Sequence, residues 1–184
     1  MGSNIRKNTI WNAVGNIVYL GTQWIVTVMV TRLFGFTDAG VLSLAMSISA
    51  SFQTVALFGI RNFQVSDIEN KYSDSCYVCF RCVTCSAALI MCVLFAVFNG
   101  YTSGTIAATI LFMLFRLAEN FSDVLHGILQ KNDMLYKAGQ SLMIKGLALL
   151  VGFAAGYFVF GNLNGSIAVM TLAAVLVTVL FDII

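Results

Sequence analysis

Six apolar runs, each near the length of a bilayer crossing, constrain this chain more than any other feature. A crossing takes roughly 20 residues, and the runs fall at about 9–31, 40–60, 79–98, 105–127, 141–160 and 166–184. Inside hydrocarbon every backbone N–H and C=O must be satisfied within its own segment, so the runs are read as helices. The expected fold class is all-α, a polytopic membrane protein with six transmembrane helices. Charged residues make up only 10% of the chain and hydrophobic residues 59%, whereas average soluble domains carry about 25% charged residues. With no Pro anywhere, any bend has to come from glycine or from polar insertions. The first run is long and interrupted by Asn12, Asn16 and Gln23, so no cleavable signal peptide is expected there.

The links give an orientation. NGYTSG (99–104) and GNLNGS (161–166) have the chemistry of tight turns, and the longer links at 61–78 and 128–140 carry most of the charge. With the N-terminus inside, the cytoplasmic face collects Arg6, Lys7, Arg61, Lys71, Arg81, Lys131, Lys137 and Lys145, and the outer face Arg32 alone. That is a strong positive-inside pattern. The N-terminus and the end of the chain are both expected to be cytoplasmic.

Within the fourth run lies RLAENFSDVLH (116–126). At about 100° per residue, Arg116, Glu119, Asp123 and His126 fall within roughly an 80° arc of a helix, with Asn120 at its border. An arginine at bilayer depth costs at least ~2.5–3.5 kcal/mol on insertion scales, so it faces a bundle interior or a watery cavity. Two readings follow: a structural Arg116–Glu119 pair at i, i+3, or the charged lining of a transport pathway.

The first run favours the pathway. Asn8, Asn12, Asn16, Tyr19, Gln23 and Thr27 recur at three- and four-residue spacing and share one face. A polar stripe through the whole depth of a membrane wants water or polar partners. Gly15 and Gly21 offer bending points. LFGFTDAG (33–40) reads as a loop leading into the second run, where Ser43, Ser47, Ser51, Thr54 and Arg61 lie along one side. The first, second and fourth runs therefore read as cavity-lining, the third and sixth as lipid-facing. The fifth is intermediate, with Ser141 and Lys145 near its inner end and Gly152-x-x-x-Gly156 as a packing face.

Cys76, Cys79, Cys82 and Cys85 form C-x-x-C-x-x-C-x-x-C, a spacing superficially like an iron–sulfur run. On a helix rising ~1.5 Å per residue the outermost two stand about 13 Å apart, so neither a metal site nor disulfides are expected. His126, the single histidine, reads as an interfacial residue with a local hydrogen bond; a proton relay is the alternative. There is no phosphate-binding Gly-rich loop, nucleophile elbow or paired-histidine motif. No enzyme activity, cofactor or nucleic-acid partner is expected.

TRLFGFTDAGVLSLAMSIS (31–49), FGIRNFQVSDIENKYS (58–73) and RLAENFSDVLHGILQKNDMLYKAGQSLMIKG (116–146) resemble bacterial polysaccharide exporters. These are the Wzx-type flippases of lipid-linked oligosaccharides, O-antigen units among them, within the multidrug/oligosaccharidyl-lipid/polysaccharide exporter superfamily. The resemblance implies a multi-pass protein of the bacterial cytoplasmic membrane. It further implies that residues 1–184 form one N-terminal lobe of a two-lobe alternating-access transporter, whose C-terminal lobe is absent here; a separate C-terminal lobe as partner and a partial or truncated product both stay open. The partners implied are membrane lipids and undecaprenyl-pyrophosphate-linked sugars. On that reading Arg116 and Arg61 meet the pyrophosphate, and Asn12, Asn16, Gln23 and Asn120 suit sugar hydroxyls. Glu119 and Asp123 hold Arg116 in place or carry a coupling ion.

Three rivals remain at this stage. A multidrug cation antiporter of the same superfamily calls for an acidic, aromatic-lined cavity. A non-transporting scaffold or truncated remnant needs only the Arg116–Glu119 pair. A membrane-embedded glycosyltransferase or polymerase needs a large outer loop or an interfacial cluster of acids.

Overall fold

The computed structural model describes residues 2–69 and 71–182, so the last two residues of the sixth predicted run lie outside the described residues. The described chain is helical: α1 (Gly2–Leu33), α2 (Gly35–Leu57), α3 (Ile60–Ser66), α4 (Asp74–Phe98), α5 (Ser103–Lys131), α6 (Leu135–Phe160) and α7 (Leu163–Val177). A π-helical turn, Thr178–Asp182, continues α7. Among the described residues, six helical stretches are long and apolar enough to cross a membrane, α2 and α3 together forming one of them.

Helix ends follow local chemistry. Thr102 caps α5 by accepting from the Thr105 amide, and Asn162 caps α7 by accepting from the Gly165 amide. These side-chain oxygens satisfy N–H groups that have no partner inside the helix. Gly100 and Gly161 take positive φ in the two short links, where a side chain would be strained. LFGFTDAG is not a loop, contrary to expectation. Gly35, at φ 85°, reverses the chain in place, and α2 begins there. The charged links are likewise largely helical: α3 occupies part of one, and α5 and α6 leave only a three-residue turn in the other.

In the bundle α6 lies between α1 and α7, α2, α4 and α5 pack on one another, and α5 joins the two groups by packing on α7. Small residues set the closest crossings. Gly15 meets Gly139 backbone to backbone, so a Cβ on either would overlap the other helix. Gly15 thus serves packing rather than bending. Gly152 and Gly156 face Ala173 and Ser166 of α7, as a small-xxx-small face does. The sixth run has two faces: Ile167 and Ala174 are fully buried, while Leu172, Leu176 and Leu180 stay exposed as a lipid-facing stripe would. One apolar cluster gathers Leu42, Phe112, Phe115, Leu149, Phe153 and Ile167, and a second, between α2, α4 and α5, gathers Ile48, Ala88, Cys92 and Met113.

The two ends of the bundle differ. Asn8 donates to the Asp133 carbonyl and accepts from the Tyr136 amide, which ties the start of α1 to the α5–α6 turn at the lysine-bearing end. At the opposite end Phe34 packs edge-on against Phe153 and Tyr157.

Candidate functional site

A polar cavity of about 420 Å³ opens between α1, α2, α5 and α6 toward the basic end. The eight residues assigned above to the guest line it: Asn12, Asn16 and Gln23 from α1, Arg61 from α3, and Arg116, Glu119, Asn120 and Asp123 from α5. Helical periodicity explains the convergence on α5, because residues three and four apart share a face.

Arg116 forms the floor. Its Nη1 donates to Glu119 Oε2 at 2.6 Å, one turn along α5. Its guanidinium carbon stands 5.2 Å from the Phe112 ring centre and 5.6 Å from that of Phe115, within cation–π range. The other Glu119 oxygen accepts from the Tyr19 hydroxyl and, at 2.9 Å, from Gln23 Nε2. Glu119 thus ties α5 to α1 while it anchors Arg116. Asn120, fully buried, accepts from Gln53 Nε2 at 3.1 Å and ties α5 to α2.

Asp123 does not hold Arg116, which corrects the expectation. It sits at the junction of two other arginines: Oδ1 accepts from Arg61 Nη1 at 3.0 Å and Oδ2 from Arg81 Nη2 at 2.9 Å. Asp123 lies nearly two turns beyond Arg116, whereas α3 and α4 bring their arginines to it directly. Arg61 also donates to Gln130 Oε1 at 3.1 Å and stays 31% exposed. Arg81 is fully buried, and its Nη1 donates to the carbonyls of Ala56 and Leu57 at the end of α2. Those carbonyls lack intrahelical partners where the helix stops, so a buried guanidinium satisfies them.

Sequence reasoning missed a second charged cluster. Lys145 on α6 donates at 3.1 Å to Asp182, and each side chain is only 1% exposed. Ser141 donates to the same carboxylate, and Lys145 also donates to Ser122. His126 Nε2 stands 3.5 Å from Asp182 Oδ1, so this histidine is buried with a carboxylate rather than interfacial. Arg81 and Lys145 therefore serve buried ion pairs, and six lysines and arginines remain at the basic end against Arg32 at the other. The signal that could have found the pair is two lone opposite charges near the same end of the fifth and sixth apolar runs.

The serine face of α2 does not line the cavity. Ser43, Ser47, Ser51 and Thr54 are exposed, and Ser47, Ser51 and Thr54 donate to carbonyls of their own helix. Asn8 leaves the cavity for the α5–α6 turn, and Thr27 bonds the Gln23 carbonyl. Among the described residues no group of three or more His, Cys, Asp or Glu side chains is placed to hold a metal ion.

Among the side chains that line the cavity, Arg61, Arg116 and Lys145 stand with Glu119 and Asp123, three basic groups to two carboxylates. Amides from Asn12, Asn16, Gln23, Gln53 and Asn120 surround them. The arrangement suits an anionic, hydroxyl-rich guest.

The fold and cavity define a six-helix membrane bundle with a charged, amide-lined interior open at one end. The chain is similar to the capsular polysaccharide biosynthesis protein CapF of Staphylococcus aureus, 26% identical over 176 residues. The match covers 96% of this chain and 43% of that protein, so the chain spans less than half the length of its curated relative. A distant relationship to a polysaccharide biosynthesis protein follows. No family model matches the chain. No solved structure matches it either.

Proposed function

We infer that this chain is a cavity-forming lobe of an exporter that flips lipid-linked oligosaccharides across the bacterial cytoplasmic membrane for surface polysaccharide synthesis. The observation that carries the reading is the cavity: arginines with a net positive balance, ringed by neutral amides, at the depth where an amphiphile's head group must cross. The pyrophosphate meets Arg61 at the mouth and Arg116 at the floor, where guanidinium N–H groups match phosphate oxygens. The sugars meet Asn12, Asn16, Gln23 and Asn120. No covalent step is needed. Alternating access then requires a facing lobe, from the same polypeptide or from another. Similarity to a capsular polysaccharide biosynthesis protein supports the substrate class. A multidrug cation antiporter is disfavoured by the positive balance, because a cationic guest would face Arg116 and Arg61.

The test is Arg116→Ala in the producing bacterium. Surface polysaccharide is expected to fall at least tenfold, with membrane insertion and protein level unchanged. Normal surface polysaccharide in that strain would overturn the cavity's role and leave Arg116–Glu119 as a packing pair.

A further inference from the structure

A second concavity, apolar where the first is polar, lies beside the mouth. Its volume is about 580 Å³, and Phe58, Ile60, Phe63, Tyr72, Tyr77 and Phe80 line it. Rings brace one another around it: Phe58 stands 5.8 Å from Phe80, and Tyr72 stands 6.3 Å from both Phe63 and Tyr77. The groove is open, with Phe58, Phe63, Tyr72 and Phe80 all exposed.

Its relation to the cavity comes from a break in the chain. Phe58 and Gly59 take φ of 43° and 64°, ending α2 and restarting the chain as α3 in a new direction. For Phe58 that conformation is strained, and such strain is held where surrounding structure demands it. The consequence is a two-sided short helix. Arg61 and Gln64 turn toward α5, Arg61 bonding Asp123 and Gln130, and Gln64 packing on Gly127. Ile60 and Phe63 turn toward the groove. Two consecutive residues, with Cα atoms about 3.8 Å apart, thus present an apolar side chain to the groove and a guanidinium to the cavity mouth.

We propose that the Phe58–Phe80 groove holds the first isoprene units of a polyisoprenyl diphosphate while Arg61 holds its diphosphate. The assignment rests on the flippase reading and adds to it the place where the lipid tail lies. A single tail bonded directly to a phosphate oxygen matches an apolar residue and an arginine that adjoin in sequence. A phospholipid separates its phosphate from two acyl chains by a glycerol unit and fits this juxtaposition less well. Tail and sugars then part at Arg61: the tail stays at the membrane-facing rim and only the head group enters the cavity. The link to α4 is tied in place, because Asp67 accepts from the amides of Lys71 and Tyr72 and from the Tyr77 hydroxyl. The rings are therefore held ready before the lipid arrives.

The test uses membrane vesicles from the producing bacterium and two photoreactive probes. One is a polyisoprenyl diphosphate with a diazirine in its first isoprene unit; the other is a phosphatidylglycerol with a diazirine in an acyl chain. The diphosphate is expected to label peptides 58–63 and 72–80 at least tenfold more than the phospholipid does. Phe63→Ala and Phe80→Ala, both at exposed positions, should each cut that labelling at least fivefold with the protein still in the membrane. Equal labelling by the phospholipid overturns the proposal. Saturable labelling confined to another face overturns the groove alone and leaves the flippase reading standing. Loss of all saturable diphosphate labelling, together with normal polysaccharide in Arg116→Ala, overturns both.

Discussion

Along α1, α2, α5 and α6 the two halves of the bundle are built from the same helices and differ almost completely in what fills them. Beyond Arg116, about 20 Å³ of space remains among Val26, Leu42, Met46, Phe112, Phe115 and Leu149. On the basic side the same four helices enclose about 420 Å³ lined by amides and charges. Arg116 stands at the boundary, its charge on Glu119 and its guanidinium against the two phenylalanines that begin the dry half. Helix geometry cannot be the cause, since helices hardly change along their length. Side-chain size and polarity decide which half is solid. Beyond Arg116 these four helices close on one another, and on the basic side they stand apart around the polar cavity.

The largest expected effect comes from the sealed ion pair in the wall of the wet half. Lys145→Ala leaves Asp182 buried without its cation, and breaking a buried pair from one side costs about 3–5 kcal/mol. Unfolding in mild detergent should show that loss, and Lys145→Met with Asp182→Leu should recover most of it. If the single variant is as stable as the parent, water reaches Asp182 and the wet half extends further than the geometry indicates.

Next is an attack on the dry half. Phe115→Ala deletes a fully buried ring, a change that costs about 3–5 kcal/mol when the site cannot collapse. It also removes one of the two rings that separate Arg116 from the apolar plug. A cysteine at Met46 reports the result, in a background where the exposed Cys76, Cys79 and Cys82 are serine. A water-soluble maleimide is expected to spare that cysteine in the parent and to label it once Phe115 is alanine. Labelling in both backgrounds would mean the plug was never dry.

How far this contrast was legible in the sequence depends on the range of the interactions involved. The polar arc of α5 and the stripe of α1 follow from a period of 3.6 residues, so Arg116, Glu119, Asn12, Asn16 and Gln23 were readable without coordinates. Pairing was not. Asp123 could be placed on the right face but not assigned to Arg61 and Arg81, which reach it from other helices. Lys145 looked like one more cytoplasmic charge, because nothing local tells a buried lysine from a surface one. The serines of α2 misled for a physical reason: a hydroxyl that bonds a carbonyl of its own helix is satisfied anywhere, so its presence does not imply a cavity. Glycine at close approach was half legible. The Gly152–Gly156 spacing announced a packing face, whereas the Gly15–Gly139 crossing joins residues far apart in the chain.

A smaller effect is expected at the boundary itself. Gln23→Ala removes one of the two α1 donors to Glu119 and leaves the Tyr19 hydroxyl in place. A hydrogen bond to a charged group contributes about 1.5–3 kcal/mol, and the remaining donor with cavity water should reduce the loss to about 1 kcal/mol. The same substitution should lower polysaccharide export less than Arg116→Ala does. Equal effects would make α1, rather than the arginine, the element that recognises the head group.

The smallest effect lies outside the membrane, at the rim of the open half. The Asp67 carboxyl is held below its ordinary value of 3.8, chiefly by the Lys71 amide, then by the Tyr77 hydroxyl. A depressed value in the folded state means that the carboxylate's contribution is present above pH 3.8 and fades as the pH falls through the lower folded value. Protection of the Lys71 and Tyr72 amides, taken relative to their intrinsic exchange rate at each pH, should therefore be high near neutrality, fall in acid, and be low at every pH in Asp67→Ala. The dry half offers the control: amides around Phe112 and Phe115 should not respond to either change. If they do, the rim and the plug move together, and the two halves are one mechanical unit rather than a fixed end and a working end.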